Sequence, residues 1–188
     1  MSQKLKIALV CGAVIVLLVT ARMLFHTWRI PQNGMYPSLP KGSMVLGREF
    51  LQGPPTDIQR GDVVVYERER DGKVYDFIWR VVGLPGETIE IRDDVVFINS
   101  RPLRQEVVKV EGESDILREH AEQTSYLIAL PHTRSGAKDS NHPSIVVPDG
   151  SVFLLGDNRH HAFDSRADGP VKLGAIHGRV FQQWVIGQ

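Results

Sequence analysis

Trp79-Arg80-Val81-Val82-Gly83-Leu84-Pro85-Gly86-Glu87 is the stretch on which the fold turns. Its first half continues a β-branched and aromatic run that starts at Tyr75, so Tyr75 to Val82 reads as a strand. Pro85-Gly86 then imposes a turn, because proline presets φ and glycine accepts the positive φ that follows. Thr88 to Arg92 resumes the strand pattern on the far side. Outward from this hairpin the same signature recurs at Ser43 to Leu46, Asp62 to Tyr66, Val95 to Ile98, Ser125 to Ala129, Ser151 to Leu155 and Ile176 to Trp184. Gly53-Pro54-Pro55, Asp71-Gly72 and Asp149-Gly150 punctuate these runs, and no helical periodicity is sustained among them. The body of the chain therefore reads as β. Residues 104–124 are rich in charge and suggest a short helix or a solvated excursion, while residues 131–144 read as a polar loop.

The N-terminus is of another kind. Residues 7–25 are almost wholly apolar behind a head carrying Lys4 and Lys6, long enough to cross a bilayer core. The run continues through Met23, Leu24 and Phe25 without a small-x-small cleavage signal, which favours an uncleaved anchor over a removed leader. Arg22 can snorkel, and Trp28 suits an interface. This divides the chain into a cytoplasmic head with a transmembrane anchor, residues 1–29, and one extracytoplasmic domain, residues 30–188. At 188 residues and 42% hydrophobic content there is enough chain for one cored domain besides the anchor. Lys plus Arg and Asp plus Glu both number 22, so the overall positive field that a nucleic acid partner requires is missing. Cys11 is the sole cysteine, which excludes an internal disulfide.

Three stretches carry the chemistry. The first is Ile30-Pro31-Gln32-Asn33-Gly34-Met35-Tyr36-Pro37-Ser38-Leu39. The second joins Arg60-Gly61-Asp62 to the stretch opening at Trp79. The third runs Gly156-Asp157-Asn158-Arg159-His160-His161-Ala162-Phe163-Asp164-Ser165-Arg166 and closes with Gly169-Pro170-Val171. In order and spacing these resemble the type I signal peptidases, membrane-anchored Ser/Lys proteases that remove signal peptides from exported proteins. The resemblance implies a mostly antiparallel β-sheet domain carried by one N-terminal transmembrane helix in the cell (inner) membrane, with the C-terminal domain extracytoplasmic. It also implies contact with membrane lipid and with exported or membrane-anchored protein segments, and leaves room for a protein complex partner.

The same resemblance exposes a gap at the catalytic positions. Family members carry Pro-Ser-Gly-Ser-Met-x-Pro after the anchor, the second serine being the nucleophile; on this chain it falls on Gly34, the first serine on Gln32. The family's general base, a lysine just before the arginine of the Val-Gly-Leu-Pro-Gly box, falls on Trp79. The serine that orients that lysine falls on Ala162. A serine attacks only when a neighbouring base takes its proton, and lysine serves only when burial keeps it neutral. Glycine and tryptophan supply neither function, so the reading is a catalytically inactive relative that binds its partners without cleaving them. An oxyanion-like donor pair survives in the Gly34 N–H and the Gln32 amide. Arg80, Asp157, Asn158, Arg159, Asp164, Ser165 and Arg166 match the family's framework, with Asp164 expected to pair with Arg166 or Arg80.

Two rival readings follow from particular residues. Gly42-Ser43-Met44 imitates the nucleophile motif and Ser38 lies close by with Lys41, which leaves an active peptidase with unorthodox residues as the alternative. A structural subunit of an envelope assembly, its groove closed by Trp79, is the other. No cofactor and no metal site is expected: His160-His161 with Asp157 is too local a set to hold an ion and reads as two histidines at a loop surface or packed on an aromatic.

Overall fold

The computed structural model describes residues 2–50, 53–132 and 140–184. A single long helix, α1 (Gln3–Leu24), precedes β1 (Phe25–Arg29), β2 (Met44–Glu49), β3 (Val63–Arg70), β4 (Lys73–Gly83), β5 (Thr88–Arg92), β6 (Val95–Ile98) and β7 (Arg101–Pro102). The chain continues through β8 (Arg104–Glu111), β9 (Ser114–Ala121), β10 (Thr124–Pro131), β11 (His142–Val146), β12 (Ser151–Leu155), the one-turn α2 (Ser165–Asp168), β13 (Val171–Lys172) and β14 (Ile176–Trp184). The fold is mostly antiparallel β with one apolar N-terminal helix.

At 22 residues α1 is about 33 Å long, enough to cross a hydrocarbon core of about 30 Å. From Leu5 to Val19 its leucines, isoleucines and valines stand exposed, and no described element covers them. The helix ends at Leu24, earlier than the apolar run suggests, because Phe25–Arg29 pairs along its whole length with Met44–Arg48 of β2. Residues 25–29, assigned from sequence to the anchor, thus belong to the sheet. Trp28 is a core residue rather than an interfacial one, its ring lying over Gly47 and Gly178.

The described strands form a seven-stranded sheet in the order β1-β2-β14-β3-β4-β12-β13, a four-stranded sheet β11-β5-β6-β7 and a three-stranded sheet β10-β9-β8. Side chains of a strand alternate between faces, so a strand covered on both sides shows a continuous apolar run. β12 is such a strand: all five of its residues are buried, Val152 and Leu154 in the core that contains Trp79, Phe153 and Leu155 in the core of the four-stranded sheet. β4 divides likewise, with Trp79 and Val81 in the first core and Val82 in the second. The turn after β4 closes on itself, since Gly86 takes φ +81 and the Glu87 carboxylate accepts the Leu84 N–H at 2.7 Å. Arg60 then grips Glu87 at 2.6 and 2.9 Å, and although burial opposes ionisation of that carboxylate, this bond lowers its pKa below the usual range.

The charged stretch 104–124 is not helical. It builds the long hairpin β8–β9 and opens β10, with Leu117, Glu119 and Ala121 of β9 buried on one face and Arg118 exposed on the other. Charge on both faces, at Asp115 and Glu119 on one and Arg118 on the other, hides the alternation when charge is read before period. Of the polar loop expected at 131–144, residues 133–139 lie outside the described residues, Pro131 ends β10 and His142–Ser144 open β11.

Candidate functional site

The segment from Ile30 to Ser43 leaves β1 and returns to β2 as a tied flap. Ile30 donates to the Ser43 carbonyl at 2.9 Å and Gly42 to the Ile30 carbonyl at 2.8 Å, while the Asn33 side chain accepts the Lys41 N–H at 2.8 Å. Met35 and Leu39, 2% and 3% exposed, pin the flap into the main core. From the other side Asn158 reaches the flap twice: its N–H donates to the Gly34 carbonyl at 3.0 Å and its amide to the Asn33 carbonyl at 3.1 Å. The backbone of Gly34 is therefore fixed by two distant parts of the chain.

Trp79 rises from β4 into the same place. A Cβ added at Gly34 would lie 2.4 Å from Trp79 Cη2 and 2.6 Å from Cζ3, so the indole occupies the volume of any side chain at position 34. A Cβ at Gly156 would lie 2.2 Å from the Ala162 methyl, 2.6 Å from the Gly34 oxygen and 3.1 Å from the Trp79 ring. Gly34, Trp79, Ala162 and Gly156 thus converge on one spot, which only the two glycines make possible. Trp79 is 1% exposed, and among the described residues its buried indole N–H meets no hydrogen-bond partner of good geometry. Burial raises the pKa of the neighbouring Tyr66 to about 12, keeping that phenol protonated.

Gly34 and Trp79 also form part of the wall of a cavity of about 240 Å³ between the chain after β1 and the strand β4. Trp28, Ile30, Met35 and Ile78 make its apolar surface, with Arg29, Gln32 and Asp76 as polar groups. Gln32 and Gly34 share this wall, and neither the Gln32 amide nor the Gly34 N–H is used in a hydrogen bond among the described residues. The lining carries no hydroxyl, thiol or amine.

The two alternative serines have other surroundings. Ser43 is 1% exposed, and among the described residues its hydroxyl has no hydrogen-bond partner, so no base there is placed to take its proton. Ser38 donates to the Leu127 carbonyl and accepts from Arg80, each at 3.3 Å, which occupies it structurally.

The framework residues sort into three buried charge pairs. Arg80 makes a two-pronged contact with Asp157 at 2.8 and 2.6 Å, donates to the Gly61 carbonyl at 2.8 Å and lies over the Tyr126 ring. Asp164 pairs with Arg166 at 2.8 and 2.9 Å, accepts the Gly156 N–H at 2.9 Å and caps α2. Of the two partners expected for Asp164, Arg80 is thus excluded because Asp157 holds it. Ser165 accepts the Leu154 N–H at 3.0 Å, tying α2 to β12.

The third pair was not among those expected from the sequence. Arg159 binds Glu119 through both guanidinium nitrogens, with Tyr126 and Gln105 each donating to the same carboxylate at 2.9 Å. Burial alone would raise the pKa of Glu119, but the charge and hydrogen bonds of Arg159 lower it instead. The available signal was Glu119 sitting at period 2 between Leu117 and Ala121. His160, expected at the surface or against an aromatic, is instead half-buried against Asp94 at 2.7 Å, while His161 is exposed and bonds Asn158. Asp94 draws it in because this carboxylate is 3% exposed and has the Ser140 hydroxyl at 3.4 Å as its other side-chain partner.

The family model for signal peptidase, peptidase S26, matches residues 4–185. Signal peptidase I V of Bacillus subtilis is 31% identical over 168 residues, 88% of this chain and 89% of the relative. Signal peptidase I of Bacillus caldolyticus is 28% identical over 187 residues, covering 94% and 88%. For signal peptidase I of Pseudomonas aeruginosa the identity is 29% over 167 residues, 80% of this chain, and the chain spans 58% of that relative's length. A crystal structure of a signal peptidase I from Enterococcus faecalis aligns with 67% of this chain and 98% of its own at 28% identity and a TM-score of 0.42. With nearly its whole length matched, the chain belongs to the signal peptidase family, peptidase S26.

Proposed function

We propose that this chain is a non-catalytic member of its family, anchored in the inner membrane by α1, whose extracytoplasmic domain binds segments of exported or membrane-anchored proteins without cutting them. One observation carries the reading: the indole of Trp79 fills the space beside Gly34, with Ala162 packed in the same cluster, where the family's serine, lysine and orienting serine are expected. No nucleophile and no neutral amine is available there. The cavity of about 240 Å³ remains open beside it, walled by backbone and apolar side chains with Arg29, Gln32 and Asp76 among them. An extended peptide can bind there through backbone hydrogen bonds, with the Gly34 N–H as one donor, because such binding needs no dyad.

The names of the relatives favour the opposite outcome, an active peptidase, so the assay is direct. Full-length protein in detergent is incubated with a preprotein and, separately, with a penem-type serine acylating inhibitor, and both are followed by mass spectrometry. Neither cleavage nor a mass adduct is expected. Turnover that disappears in Ser43→Ala or Ser38→Ala would sink the reading. The binding half is measured by titrating a signal peptide and following Trp fluorescence, because Trp28 and Trp79 both line the cavity. Saturable binding that Ile78→Asp abolishes is the expected result; no binding at any peptide concentration would leave a structural subunit as the better reading.

Topology follows from the anchor. Lys4 and Lys6 lie on the head side and should hold it in the cytoplasm. Protease added to intact spheroplasts is then expected to digest the β domain, and full protection of that domain would reverse the orientation.

A further inference from the structure

We infer that Glu67, Asp76 and His177 form a binding site for a divalent transition ion of the zinc type. The three residues come from adjacent strands of the large sheet, β3, β4 and β14. Glu67 and Asp76 are direct partners across the β3–β4 pair. Two carboxylates facing one another on neighbouring strands repel, so this arrangement costs stability unless a cation stands between them. His177 arrives by a separate device. The β14 register shifts between Ile176, which pairs with Tyr66, and Gly178, which pairs with Val65, so His177 is the extra residue of a bulge. Bulges re-aim side chains, and this one brings the imidazole Nε2 to 2.9 Å from Asp76 Oδ1.

One ligand atom from each residue lies within 4.8 Å of the other two. Atoms bonded to one tetrahedral ion at about 2.1 Å are roughly 3.4 Å apart, so a small rotation of Glu67 closes the set. Glu67 is free to make it: among the described residues it has no hydrogen bond and no ion pair. One imidazole nitrogen with two carboxylate oxygens suits zinc or a similar first-row ion, whereas magnesium and calcium prefer oxygen alone. The two negative charges match a dication. Three protein ligands leave a fourth position open, and Asp76 also lines the 240 Å³ cavity. The ion site does not depend on whether the groove holds a peptide.

The test uses tag-free, full-length protein in detergent, stripped with a chelator, and isothermal titration with zinc chloride and with magnesium chloride. One zinc ion per chain is expected, with magnesium giving no saturable signal. Glu67→Gln and His177→Ala should each weaken zinc binding by at least roughly tenfold, the loss that even outer partners of metal ligands produce. Circular dichroism in the absence of metal checks that both variants are folded; Glu67 is exposed, so its variant keeps the test decisive if His177→Ala is not. Absence of saturable zinc binding overturns the site, as does zinc binding unchanged by Glu67→Gln.

Discussion

Trp79→Ala is expected to lose about 3–5 kcal/mol of unfolding free energy, the range for deleting a fully buried aromatic side chain. The ring is 1% exposed and sits in the main core with Val64, Val81 and Leu154, so little can collapse into the void. The informative part is its coupling to Gly34. In the native protein Gly34→Ser drives a Cβ to 2.4 Å from the indole, an overpacking that costs about 1–3 kcal/mol or more. In the Trp79→Ala background that collision is gone, and the same serine should cost much less. A double-mutant cycle by chemical denaturation therefore gives a large favourable coupling, since residues in contact do not add. Equal costs in both backgrounds would mean that the two residues do not meet. The proposed assignment makes a matching demand on chemistry. Gly34→Ser alone and Trp79→Lys alone should both stay inactive, because a nucleophile and a base act as a unit. Only the variant combining them with Ala162→Ser holds all three groups, and its new lysine must be desolvated enough to be neutral.

Breaking the Glu119–Arg159 pair should be as damaging. Glu119→Ala leaves an almost wholly buried guanidinium without its counter-charge and strands the Tyr126 and Gln105 donors, a loss of about 3–5 kcal/mol. Replacing both partners, Glu119→Leu with Arg159→Met, should recover much of this, since an apolar pair carries no uncompensated charge. The pH dependence has a definite sign. The folded pKa of Glu119 is lowered by Arg159 despite burial, so its contribution is complete above the unfolded glutamate value of about 4.3 and is lost as pH falls through the folded pKa. Glu87, lowered by Arg60, acts in the same direction. Stability measured in urea should thus be insensitive to these groups from neutral pH down to about 5 and fall below that. Glu119→Gln should be less stable at neutral pH and show a shallower acid loss. An unchanged acid limb in that variant would show that the carboxylate does not carry it.

The large β elements were legible in the sequence because strands announce themselves locally. β-branched runs such as Val63 to Tyr66 and Val152 to Leu155, bounded by Gly, Pro and Asp, fix the strand and the turn within a few residues. The apolar N-terminal helix was equally legible, since unbroken hydrophobicity needs no tertiary context. The residues at the Gly34, Trp79 and Ala162 positions could be named from motif order alone. Their meeting could not: it required a flap between two strands, a register on β4 and a loop after β12, each set by long-range pairing. The charged stretch at 104–124 was misjudged because burial of Glu119 depends on Arg159, 40 residues away in the chain. The end of α1 was hidden for a related reason, because Phe25 closes the apolar run and Phe25–Arg29 becomes a strand only when β2 offers its edge. What one residue and its neighbours prefer is written in the sequence. Which charge is neutralised, which side chain is covered and which three ligands share a face depend on strand order, and only the folded chain supplies that.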